Sequence, residues 1–114
     1  MGDNKHTTIL FGFVAGTLES ISSEVSMALG VKFHLHDSQF RGGDYYRFES
    51  GRELYILQRN NDGGSPDERA EEEFGNYPIL LYIETQESGT AFIDRLRRVT
   101  SAPVMLRFSE QGNT

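Results

Sequence analysis

The chain contains no cysteine. That excludes a disulfide framework and any thiolate metal site. No apolar run approaches the roughly 20 residues that a membrane-spanning helix needs. An excess of base is missing too. Lys and Arg together number 11 against 17 Asp and Glu, for a net charge of −6. A protein that grips phosphate backbones wants a basic face, so direct nucleic-acid binding is not expected. The opening residues, MGDNKHTT, lack the charged-then-apolar layout of a signal peptide, and His6 stands where a myristoylation start wants Ser or Thr. These absences lead to the expectation of a cytoplasmic protein with no membrane partner. Strings that announce catalysis are lacking as well. There is no Gly-x-Ser-x-Gly elbow, and Gly42-Gly43 and Gly63-Gly64 come without the lysine and helix of a phosphate loop. Neither enzymatic activity nor a cofactor is expected.

What is present suits one domain. The chain has 114 residues, 37% of them apolar, and eight Phe and five Tyr supply much of the bulk. The stretch from Val31 to Arg59 organises the pattern. Val31, Phe33 and Leu35 alternate with Lys32, His34 and His36. Tyr46 and Phe48 alternate with Tyr45, Arg47 and Glu49, and Leu54 and Ile56 alternate with Tyr55, Leu57 and Arg59. Period-two alternation marks strands. Arg41-Gly42-Gly43-Asp44 and Ser50-Gly51-Arg52 supply residues that tolerate positive φ in hairpin turns.

Around this stretch, Thr7 to Val14 reads as a buried strand. A helix follows, capped by Thr17 or Ser20, with Leu18, Ile21, Val25, Ala28 and Leu29 at helical spacing and Gly30 as its stop. Pro78 to Glu84 is a second buried strand. Ser88 or Thr90 starts a second helix carrying Phe92, Ile93, Leu96 and Val99, with Arg95, Arg97 and Arg98 in its last turns. A last strand holds Val104, Leu106 and Phe108, and Glu110 to Thr114 should fray. The order β-α-β-β-β-β-α-β predicts an α+β fold: one domain, an open mixed sheet with two helices on one face, close to a ferredoxin-like arrangement with extra hairpin strands.

One segment breaks the pattern. Asn60 to Gly75 begins with turn formers and then becomes acidic. Residues 62 to 73 hold six acids, Asp62, Asp67, Glu68, Glu71, Glu72 and Glu73, against Arg69 alone. With so few apolar residues it reads as a solvated loop. Pro66 suits the start of a helical turn, and Phe74 and Tyr77 suit anchoring of the far end.

Three groups of residues invite a functional reading. His34 and His36 lie two apart, so in a strand both imidazoles share a face. A metal needs a third ligand, and the plainer reading is a solvent-facing pair. Arg41, Asp44, Tyr45 and Arg47 decorate a hairpin with the residue types that interfaces favour. The plainer alternative is an edge guarded by charge. Asp67, Glu68, Glu71, Glu72 and Glu73 offer a field that steers a basic partner.

The block from Leu29-Gly30-Val31 through Ser38, Arg41-Gly42-Gly43-Asp44-Tyr45-Tyr46, Glu53-Leu54-Tyr55-Ile56-Leu57-Gln58-Arg59-Asn60 and the later Tyr77-Pro78-Ile79-Leu80-Leu81-Tyr82-Ile83 resembles small bacterial immunity proteins. The resemblance spans about half the chain. It implies binding without catalysis: neutralisation of a cognate toxin, with an acidic surface laid over the basic site of a nuclease domain. A second reading is a small-molecule-binding or regulatory domain, with His34, His36 and Tyr45 lining a polar pocket. Sheets of this type also form homodimers by edge pairing.

Overall fold

The computed structural model describes residues 6–38, 43–51, 53–60, 70–86, 89–99 and 102–111. Arg41, Gly42, Arg52, Asp62, the Gly63-Gly64 pair, Pro66, Asp67, Glu68, Arg69 and Ser88 lie outside these residues, as does the side-chain packing of Phe92.

Strand β1 (His6–Phe13) leads into α1 (Leu18–Leu29), followed by β2 (His34–Ser38), β3 (Gly43–Ser50), β4 (Glu53–Arg59), β5 (Ile79–Thr85), α2 (Gly89–Leu96) and β6 (Val104–Gln111). Thr17 caps α1. Its hydroxyl accepts from the Ser20 N–H at 3.0 Å, and the Ser20 hydroxyl accepts from the Thr17 N–H at 2.9 Å. Gly30 ends the helix in the left-handed conformation, at φ 67°. Gly51 turns the β3–β4 hairpin at φ 55°, the positive φ expected there.

The strands form one sheet in the order β2-β3-β4-β5-β1-β6. Every pairing is antiparallel, so the expected mixed sheet is corrected, and the six-strand order is not that of a ferredoxin-like sheet. The physical reason lies in where β1 inserts. Strands β5 and β6 run parallel to each other, but β1 sits between them and pairs antiparallel with both. Likewise β3, β4 and β5 separate β1 from β2. Each helical connection therefore leaps over intervening strands rather than joining neighbours. The end of the chain also differs from expectation. Glu110 and Gln111 do not fray but pair with Thr7 and His6, and the rest of that expectation, at 112–114, lies outside the described residues.

The main core lies between the sheet and both helices. Leu18, Ile21, Val25 and Leu29 of α1 and Leu96 of α2 close over Ile9, Phe11 and Phe13 of β1, Tyr55 and Leu57 of β4, and Ile79, Leu81 and Ile83 of β5. Tyr46 and Phe48 of β3 pack at its margin. Burying side chains of this size stabilises the fold by about 1.5–3 kcal/mol each.

The opposite sheet face is buried as well, which alternation alone does not explain. Leu10, Ile56, Gln58 and Leu80 are all less than a tenth exposed, although the helices cover the other side. Over part of this face lies the C-terminal end of the acidic segment. Residues 70–78, through a 3-10 turn at Glu72–Phe74, form a strap against this face.

Candidate functional site

Two side chains from the sheet hold the strap, Asn60 and Arg107. Asn60, at the end of β4 and 8% exposed, points its Nδ2 at three carbonyl oxygens: Glu71 at 3.2 Å, Phe74 at 3.0 Å and Tyr77 at 3.1 Å. Its Oδ1 accepts from the Glu71 N–H at 2.8 Å, and its own N–H donates to Pro78 O at 2.8 Å. A primary amide offers both donors and an acceptor, and this site uses both kinds.

Glu71 then crosses the sheet. Its Oε2 accepts from the Tyr82 hydroxyl at 2.8 Å, and its Oε1 accepts from Arg107 Nη2 at 2.6 Å. The same Nη2 reaches Glu73 Oε1 at 3.0 Å, and the guanidinium carbon stands 5.6 Å from the Phe74 ring centre. Hydrogen bonds from Glu71 first, and then from Glu73, raise the Arg107 pKa above its ordinary value. Tyr77 completes the contact. A Cβ built on Gly12 would lie 2.7 Å from the Tyr77 ring and 2.7 Å from Leu106 Cδ1, so the strap rests on bare backbone at Gly12.

The register shows what shares this face. Cross-strand partners run His34, Arg47, Ile56, Tyr82, Leu10, Arg107 across all six strands. The strap occupies the half over β5, β1 and β6. The half over β2 and β3 carries His34, His36, Tyr45 and Arg47. Arg47 and Tyr82 are two strands apart, about 10 Å by sheet spacing. The structure thus brings Tyr45 and Arg47 to the same face as Glu71, Glu72 and Glu73.

The members of this set have unequal freedom. The Glu71 side chain is 17% exposed and committed to Arg107 and Tyr82. Glu72 and Glu73 are exposed, with Glu73 at 67% despite its bond to Arg107. Arg47 pairs with Glu49 at 2.8 Å. Asp44 belongs to the helix-side face, opposite Asp37 on β2, and its carbonyl accepts from Arg59 Nη1 at 3.4 Å. Tyr45 and Tyr46 point to opposite faces, as expected for neighbours in a strand.

His34 and His36 do share one face. The His36 ring stacks on Tyr45 with centroids 5.4 Å apart. His6 lies elsewhere, 3.7 Å from Glu84. Among the described residues no group of three His, Cys, Asp or Glu is placed to hold a metal. A groove of about 230 Å³ beside Asp44, Tyr46 and Arg59, and another of about 330 Å³ along α2, both open on the helix side, away from the two histidines.

Sequence reasoning missed Asn60, Gly12 and Arg107. Asn60 reads as a turn former and Arg107 as an outward strand residue. Gly12 left a usable signal, because a lone glycine inside an apolar strand marks close approach of another group.

No protein-family model matches the chain, and no curated protein matches it significantly. Among the described residues no helix is long and apolar enough to cross a membrane.

Proposed function

We propose that this chain is a toxin-immunity protein, a binding module that neutralises a cognate bacterial toxin in the cytoplasm without catalysis. The partner's contact surface is basic, as in a nuclease domain. The observation that carries this reading is the strap. Glu72 and Glu73 stand exposed on a turn pinned by Asn60 and by Arg107, on the face that also presents Tyr45 and Arg47. Groups held in place before binding lose less entropy on association. Their acidic field steers a basic partner, while the aromatic and guanidinium groups of β3 supply anchoring contacts. Asp44, which faces the other side of the sheet, belongs to this reading by sequence alone. Arg41, Asp67 and Glu68 belong to the same reading by sequence.

The fold reads best as a ferredoxin-like β6-β1-β5-β4 unit lengthened by the β2–β3 hairpin. The split unit β5-α2-β6 around β1 supports this.

The test is kinetic. Reversing Glu72 and Glu73 to Lys should slow association with the toxin domain about tenfold at low salt, and the difference should shrink as salt rises. An unchanged association rate at low salt would remove the strap from the interface.

A further inference from the structure

The two edges of the sheet are unlike. Strand β2 is five residues long and carries His34, His36 and Asp37. Strand β6 is eight residues long and ends the sheet on the other side. Its side chains include three of the six exposed large apolar residues among the described residues, Val104 at 42%, Met105 at 45% and Phe108 at 43%, where β2 has Leu35 at 59%. Its one cation, Arg107, is turned onto the strap and bonded to Glu71 and Glu73, so it does not guard the edge. A long edge with exposed apolar side chains is a template for another strand, and its remaining charge, Glu110, and its bulge both enter the pairing.

We propose that β6 pairs antiparallel with β6 of a second copy of this chain, about a two-fold axis at Phe108. The sequence of the strand is self-complementary in this register. Phe108 meets Phe108 of the second copy, and Arg107 meets Ser109. The bulge matters here. Leu10 pairs with Arg107 and Phe11 with Met105, which leaves Leu106 as the extra residue. Beyond it, Met105 faces Glu110 of the second copy. No like charges stand opposite each other. A two-fold at Arg107 would instead set guanidinium against guanidinium.

The helix-side surface fits the same arrangement. Met105, Phe11, Ile93, Leu96 and Val99 line an open groove of about 330 Å³ between α2 and β6, and Arg97 stands at its rim. Phe108 of the second copy, diagonal to Met105, lies at the mouth of this groove, and its Glu110 approaches Arg97. Arg97 keeps a loose contact with Asp94 at 4.0 Å, and the added opposition of Glu110 favours a second copy over an arbitrary strand. The joined sheet has twelve strands, and the strap faces remain open on both copies, so this inference stands or falls apart from the proposed partner of the strap.

The full chain serves for the test. Sedimentation at roughly 100 µM, where a micromolar dimer is formed, should show a dimer. Phe108→Lys should weaken it at least tenfold, with the circular dichroism spectrum and thermal midpoint confirming a folded monomer. Because the chain has no cysteine of its own, Phe108→Cys should cross-link to itself on mild oxidation, whereas Leu35→Cys, on the opposite edge, should not. A monomer at that concentration overturns the inference. So does a dimer indifferent to Phe108→Lys, or cross-linking through Leu35→Cys as fast as through Phe108→Cys.

Discussion

Asn60 and Glu71 hold each other by reciprocal bonds: the Asn60 amide donates to the Glu71 carbonyl at 3.2 Å and accepts from the Glu71 N–H at 2.8 Å. This clasp joins the end of β4 to the strap, and the Glu71 carboxylate carries the connection on to Arg107 of β6.

Asn60→Ala should therefore cost about 2–4 kcal/mol, since it removes one side chain from several backbone groups at once. Asn60→Asp should cost at least as much. It keeps the acceptor for Glu71 but turns a carboxylate oxygen toward three carbonyls. Denaturant melts of the two variants check this, and the order Asp milder than Ala would contradict it.

Gly12→Ala should destabilise by about 1–3 kcal/mol through overpacking beneath Tyr77 and Leu106. Tyr77→Ala removes the ring in the way, so the double variant should lose less than the sum of the two single losses. Strictly additive losses in equilibrium unfolding would mean that the strap does not press on Gly12.

These two positions show what could be read in advance. Both helices, all six strands and the anchoring roles of Phe74 and Tyr77 follow from periodicity, caps and aromatic placement. Strand direction does not follow, because an alternating pattern is the same whichever way the neighbour runs. The Glu71–Arg107 bridge spans 36 positions of sequence and exists only because β1 brings β6 beside β5. Glu71 thus looked like its neighbours Glu72 and Glu73 until the strand order separated a committed carboxylate from exposed ones.

Arg107→Met keeps the aliphatic stem over Phe74 and removes the charge. With the Arg107 side chain 46% exposed, solvent screening limits the loss to about 1 kcal/mol. The Arg107 pKa is raised, so its contribution is complete below the ordinary guanidinium value and is lost only as pH climbs past the folded one. That window lies far above neutrality. The stability gap between wild type and Arg107→Met should accordingly be the same at about pH 7 and pH 9. A gap that closes over this interval would show that Arg107 is not the group that matters there.

Co-expression with the product of the gene immediately upstream tests the central claim most directly. The account predicts that the C-terminal domain of that product kills cells when expressed alone. Killing should stop when this chain is supplied and return in part when the chain carries Glu72→Lys and Glu73→Lys. A harmless neighbour, or killing that this chain leaves untouched, would contradict the immunity reading.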